Sequence, residues 1–283
     1  MNRGQLQNKL QNTSNLPTLP LIALEVNRLL LNYEAPMEPL VALLQKDPAL
    51  IMRILRLVNS SFYGFKSKIQ SLNHAVTLLG YNTVRNAVVA VSVIDTLALK
   101  QKLKGFDINE FWSHSVRVGV LSRFLAVKTR LGPAEDAFTA GLLHDIGKVV
   151  LANFCPEHLA AILETAQIEK LSFHAAEQRL DSWPHHQIGA FLAQRWMLPE
   201  ALAKPIQRHH VQVEQATEDP LCLLVSVSNR LDHMMHGHSG YSLDLAQKPP
   251  EFQKLLTEAL GHGEWILQVK QEMDAACQFF KQG

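Results

Sequence analysis

Along most of the chain, apolar residues recur at intervals of three and four, the spacing of one buried helical face. After Leu16-Pro17-Thr18-Leu19-Pro20, whose prolines set an extended approach, Ile22, Val26, Leu29 and Leu30 predict a helix ended by Glu34-Ala35-Pro36. The period continues over Met37 to Leu44 and over Ala49 to Asn59, where Asp47 is the expected N-cap and Pro48 belongs to the first turn. Ser60-Ser61-Phe62-Tyr63-Gly64 reads as a turn, and Ile69 to Leu79 as a helix closed by Gly80. Asn82 to Leu99 is rich in Val, which favours strands. It lacks turn-bounded alternation of period two, so it too is predicted helical.

Lys100-Gln101-Lys102-Leu103-Lys104-Gly105 is polar, basic and closed by glycine, the pattern of a boundary or of a solvated helix end. As a boundary it separates a helical subdomain, 16–105, from a region of longer helices, 106–283, with residues 1–15 frayed. Helices are predicted over Ile108 to Thr129, Glu135 to Phe154, Pro156 to Lys170, Ser172 to Leu180, Gln187 to Met197, Pro199 to His209, Leu221 to Met235 and Phe252 to Phe280. Glu214 to Pro220 and His236 to Pro250 read as loops. No strand, repeat or low-complexity tract is convincing, and the fold class is all-α.

Composition narrows the function classes. With 283 residues, 47% hydrophobic and 19% charged, the chain can bury a sizeable core. A formal net charge of +1 exerts no global pull on nucleic acid or anionic lipid. Arg53, Arg56 and Arg85 outline at most a small positive face for a partner. Trp112, Trp183, Trp196, Phe62 and Tyr63 are not interleaved with basic residues, so packing is expected of them rather than base stacking. Cys155, Cys222 and Cys277 lie far apart, which suits reduced thiols. The first fifteen residues lack the apolar core of a signal peptide, and no apolar run reaches the roughly 18 residues of a membrane span. A soluble cytoplasmic protein is expected.

The candidate chemistry centres on Leu142-Leu143-His144-Asp145-Ile146-Gly147-Lys148, within the apolar run Phe138 to Leu151. A carboxylate buried beside an imidazole is costly unless a cation satisfies both. Thirteen histidines are many for this length. His114 lies on a helix with a core face, and the pairs His185-His186 and His209-His210 fall at helix ends, where side chains can converge. Four helices thus bring imidazole or carboxylate toward one bundle interior, the usual place for a metal in an all-helical protein. His158 and His174 have polar or charged neighbours and read as ordinary surface or half-buried histidines.

The motifs along the chain also resemble a known family, the HDOD domain, a regulatory relative of the HD metal-dependent phosphohydrolases. The likeness rests on Leu16-Pro17-Thr18-Leu19-Pro20, Asp47-Pro48-Ala49-Leu50, Leu57-Val58-Asn59-Ser60-Ser61-Phe62-Tyr63 and Ala75-Val76-Thr77-Leu78-Leu79-Gly80. It continues in Phe111-Trp112-Ser113-His114-Ser115, Gly141 to Lys148, His185 with Gly189-Ala190, Trp196-Met197-Leu198-Pro199 and His209-His210. The resemblance implies an HD-like helical bundle packed against an N-terminal helical subdomain. Position by position it implies His114, His144 and Asp145 as ligands of a first metal, and His185, His209 and His210 as ligands of a second, with Asp145 bridging. Lys148 would contact substrate phosphate, so Asp145 and Lys148 are the catalytic candidates if the protein is an enzyme. Imidazoles with one carboxylate and no thiolate suit Fe, Mn, Zn or Ni, as one ion or two.

Two departures bear on activity. Asn229 stands where the HD signature ends in Asp, offering a neutral carbonyl as a weaker candidate ligand without the charge or basicity of a carboxylate. Asp232, one turn on, is expected to be exposed, with compensation for Asn229 as the alternative. After His210, Val211-Gln212-Val213-Glu214 replaces the Gly-Tyr-Pro motif of cyclic-di-GMP phosphodiesterases. The expectation is therefore a regulatory signal-transduction protein whose pocket binds metal, and with it a nucleotide-like or phosphate ligand, and which acts through a protein partner. A metal-dependent phosphohydrolase is the alternative, and a purely structural bundle the third reading.

Overall fold

A computed structural model describes residues 1–30, 37–59, 68–99, 102–210, 219–237, 250–261, 263 and 265–281. The expected features at Glu34-Ala35-Pro36, Ser60 to Gly64, Lys100-Gln101 and 211–218, and the loop interior from 238 to 249, lie outside these residues. Among the described residues the fold is all-helical, with only an isolated bridge between Leu103 and Phe106. No described helix is long and apolar enough to cross a membrane.

The first helix, α1 (Arg3–Gln11), occupies the segment expected to be frayed. Asn2 and Gln5 form a reciprocal capping box, Leu6 and Leu10 are buried, and Arg3 donates to Gln187 Oε1 at 2.8 Å. The helices α2 (Leu21–Leu30), α3 (Met37–Leu44), α4 (Pro48–Val58) and α5 (Leu72–Leu79) follow. Asp47 caps α4 by accepting from the Leu50 amide at 2.9 Å. Beyond α4, Asn59 exchanges hydrogen bonds of 2.7 Å with both backbone groups of Ile69, tying the entry to α5 back onto α4. The Val-rich segment becomes α6 (Tyr81–Thr96), buried around most of its circumference between α2, α4 and α5 on one side and α8 (Ala134–Leu143) on the other. Burial all round, rather than strand pairing, accounts for its Val and Ala content.

The remaining helices are α7 (Ile108–Thr129), α9 (Ile146–Phe154), α10 (Pro156–Glu169), α11 (Phe173–Arg179), α12 (His185–Arg195), α13 (Glu200–Arg208), α14 (Pro220–Met235), α15 (Pro250–Leu260) and α16 (Trp265–Lys281). Buried side chains from α1 through α16 form one contiguous core. Arg85 on α6 is buried and donates to Asp136 on α8 at 2.9 Å, with Asn86 Nδ2 on the same carboxylate oxygen at 2.6 Å. The expected positive face therefore loses Arg85. Arg53 pairs with Asp95, and Arg56 is exposed. Trp183 and Trp196 are buried, Trp196 donating to the Pro17 carbonyl at 2.9 Å, which joins the chain's opening to α12.

The single helix expected over 135–154 is broken at His144 and Asp145. His144 keeps helical angles, whereas Asp145 turns to φ −103°, ψ 9°, and α9 restarts at Ile146. The long helix expected over 252–280 is likewise interrupted, with Gly263 at φ +66° between α15 and α16.

Candidate metal centre

Glycines let the relevant helices approach closely. A Cβ on Gly141 of α8 would lie 2.8 Å from the Gly119 Cα of α7, and one on Gly147 of α9 would lie 1.9 Å from the His185 carbonyl of α12. The break after α8 therefore carries His144, Asp145 and Lys148 between α7, which brings His114, and the start of α12, which brings His185. The end of α13 adds His209 and His210. His144, Asp145, His185 and His209 are at most 1% exposed, His114 is buried and His210 half-buried.

The two oxygens of Asp145 face different partners. Oδ2 lies 3.4 Å from His144 Nε2, 3.7 Å from His114 Nε2 and 2.5 Å from Lys148 Nζ. Oδ1 lies 3.0 Å from His185 Nε2 and 3.4 Å from His209 Nε2. His185 Nε2 is in turn 3.3 Å from His209 Nε2 and 3.0 Å from His210 Nε2. Ions bound at 2.0 to 2.2 Å place neighbouring donors about 3.0 to 3.5 Å apart, so most of these separations match the edges of a coordination shell. Among the described residues, His114, His144 and Asp145 form one metal-competent group, and Asp145, His185, His209 and His210 another. Asp145 is common to both.

What turns the rings inward is the hydrogen bond on the far nitrogen. The Nδ1–H of His114 is spoken for by Asp232 Oδ2 at 2.7 Å, that of His144 by the Gly141 carbonyl at 2.6 Å, that of His185 by Glu177 Oε2 at 2.7 Å and that of His209 by the Ile206 carbonyl at 2.9 Å. Each assignment leaves Nε2 as the atom directed at Asp145, the arrangement that orients imidazole toward a metal. His114 Nε2, His144 Nε2, Asp145 Oδ1 and Asn229 Oδ1 are buried without a hydrogen-bond partner. Such orphaned acceptors are rare in protein interiors and cost about 1–3 kcal/mol each unless something satisfies them. The residues fit a transition-metal ion.

The electrostatics agree. Burial opposes ionisation of Asp145, but His144, Lys148 and His185 hold its carboxyl well below the usual range. Glu177, buried and bonded to the backbone and ring of His185, is held at about 2. Burial also works against a proton on His185, yet Glu177 and Asp145 raise its pKa. Burial and neighbouring imidazoles push His186 down to about 2, His209 to about 3 and His210 well below the usual histidine value. An ion bound at the Nε2 of His185 would compete with a proton at that nitrogen.

Several expectations are corrected. Asp232 is not exposed: its carboxylate is wholly buried between His114 and Arg117, whose Nε donates at 2.8 Å. His158 is buried and paired with Ser182 Oγ at 2.8 Å, whereas His174 is half-buried, as expected, and stacks on His210 with centroids 4.4 Å apart. Asn229 is buried at 2% exposure. Sequence reasoning missed Glu177, Arg117 and His233, the last stacked 4.5 Å from His114, and named His186 only as the neighbour of His185. One signal was legible: Asn229, Asp232 and His233 are spaced i, i+3, i+4 in an apolar helix and so share its buried face. Nothing local marks Glu177.

Comparison with known proteins adds a second line. The HDOD domain family matches residues 16–212. An uncharacterised protein of Treponema pallidum (strain Nichols) is 29% identical over 229 residues, 80% of this chain and 44% of that protein, so the chain spans less than half the length of that relative. The crystal structure of an HDOD domain protein of unknown function from Geobacter sulfurreducens superposes with a TM-score of 0.78 at 24% identity, covering 98% of this chain and 97% of that one. A structure from Shewanella amazonensis SB2B, named "Putative phosphohydrolase", gives a TM-score of 0.73 at 25% identity and covers 96% and 97% of the two chains.

Proposed function

This chain belongs to the HDOD domain family, and from that premise we propose that it is a signal-transduction protein whose buried histidine cluster holds one or two divalent transition-metal ions and conveys its state to a protein partner. The observation that carries the reading is the set of four imidazoles whose Nδ1 is engaged elsewhere while Nε2 faces Asp145. A bound ion would supply concentrated positive charge against the buried Asp145 carboxylate. His114, His144 and Asp145 would hold one ion, and Asp145, His185, His209 and His210 the other. Because these residues come from α7, the α8–α9 break, α12 and α13, occupancy would brace four elements at once. A nucleotide-like or phosphate ligand would meet Lys148, whose ammonium lies beside Asp145 and over the Phe173 ring at 4.7 Å.

Binding is favoured over turnover on two grounds. The candidate ligands are nearly all sealed from solvent, and Asn229 offers no charge or base. A phosphohydrolase remains the second reading, supported by Lys148 at 2.5 Å from Asp145 and by the name of the Shewanella relative. The deciding experiment is metal analysis of protein purified without a polyhistidine tag. At least one equivalent of Fe, Mn, Zn or Ni is expected, lost in both His144→Ala and Asp145→Ala; a folded protein with no stoichiometric metal overturns the proposal. Assay of the loaded protein on bis-p-nitrophenyl phosphate and nucleotides follows, and turnover lost in Asp145→Ala would replace the binding role with the enzymatic one.

A further inference from the structure

Outside the two groups that share Asp145 lies a third. His174 on α11, His185 and His186 each offer one ring nitrogen within 4.8 Å of the other two. Their rings do not stack on one another: His174 meets His186 at 5.2 Å and 68°, and His185 meets His186 at 5.8 Å and 90°. His186 is 7% exposed and its Nδ1 is buried without a hydrogen-bond partner, although its neighbours His185 and His209 have theirs. His174 is half-buried and stacks face to face on His210, with an interplanar angle of 8°. It therefore lies on the solvent side of the sealed Asp145 cluster. Glu177 Oε2, 3.4 Å from His174 Nδ1 and 2.7 Å from His185 Nδ1, places a buried negative charge against two of the three rings.

We infer that His174 and His186, with His185 at the inner edge, form an outer transition-metal position distinct from those on Asp145. An all-imidazole donor set without thiolate suits a borderline ion such as Zn²⁺, Co²⁺ or Ni²⁺ rather than Mg²⁺ or Ca²⁺. Because His185 Nε2 faces Asp145, His174 and His186 carry the binding, water completes the shell, and the outer ion is held more weakly than an inner one. The inference rests on the proposed metal reading only in placing a further ion beside that cluster. His185, with Nδ1 on Glu177 and Nε2 toward Asp145, borders the outer position without ligating it, and the outer pair alone is tested.

The test is a Co²⁺ titration of chelator-stripped, untagged full-length protein, followed by visible absorption and equilibrium dialysis. The wild type is expected to take up one equivalent more than the His174→Ala/His186→Ala variant, the difference falling in the weakest phase. Asp145→Asn should lose the tight phase and keep the weak one. Equal uptake and equal affinity in the wild type and the double variant overturn the outer position. If Asp145→Asn leaves every phase intact, the inner reading fails while the outer is judged separately. Should the double variant unfold, the half-buried His174→Ala alone must still weaken the last phase at least severalfold, and an unchanged last phase there overturns the inference.

Discussion

Replacing Glu177 by glutamine tests the idea that buried carboxylates, rather than the histidines alone, set up the cluster. Glu177 is wholly buried and accepts from the His185 amide and Nδ1, both at 2.7 Å. Burial opposes its ionisation, but His185 and these hydrogen bonds outweigh it and bring the pKa from 4.5 to about 2. A fall of that size corresponds to about 3 kcal/mol favouring the folded, ionised state. Since the folded value is the lower one, the contribution is fully present above about pH 4.5 and is lost as pH falls toward 2. A glutamine at this position would keep the shape, lose the charge and turn an amide donor toward groups that also donate. In metal-free protein at pH 7, Glu177→Gln should therefore cost about 3 kcal/mol, a fall in Tm of roughly 5–10 °C for a chain of this size, and weaken metal binding about 10–100-fold. Thermal unfolding in chelator from pH 7 to pH 3, with competition titrations for the metal, measures both. A Tm within about 1 °C of wild type at pH 7, or a deficit that does not shrink below pH 4.5, would refute the reasoning.

Three further outcomes are expected. Gly147→Ala places a Cβ 1.9 Å from the His185 carbonyl and 2.8 Å from the Gly189 amide nitrogen, so α9 and α12 must separate; a cost of about 3 kcal/mol or more is expected by urea unfolding, and an unchanged midpoint would contradict the packing. Asp232→Asn removes the charged acceptor of His114 Nδ1 and should weaken metal binding about 10–100-fold by competition titration, whereas wild-type affinity would mean that Asp232 does not orient the ring. Arg85→Ala strands the buried Asp136 carboxylate and should cost about 3–5 kcal/mol in denaturant unfolding; a loss below about 1 kcal/mol would show that the pair contributes little to joining α6 and α8.

Much of the helical framework was legible because helix signals are local. The end of α7 at Thr129, the Asp47 cap of α4 and the Gly80 stop of α5 depend on residues within a turn or two of each other. The same locality misled at 135–154. Its apolar period runs unbroken, whereas the folded chain turns at Asp145, where the side chain faces four imidazoles and an ammonium and Gly147 allows α12 close approach. For the same reason the N-terminal segment looked frayed: Leu6 and Leu10 acquire a partner surface only when distant helices assemble.

By itself the sequence determined the all-helical class, and it singled out His114, His144, Asp145, His185, His209 and His210, because residue type, pairing and the motifs that resemble the HDOD family are visible without coordinates. Only the tertiary structure decided which ring nitrogen each histidine turns inward and that the two oxygens of Asp145 face separate groups. It alone brought in Glu177 and Asp232 as the carboxylates behind the rings. The physical reason is that a ring's tautomer is set by the acceptor at its other nitrogen. For His114 that acceptor lies 118 residues away, on a helix whose approach no local pattern records.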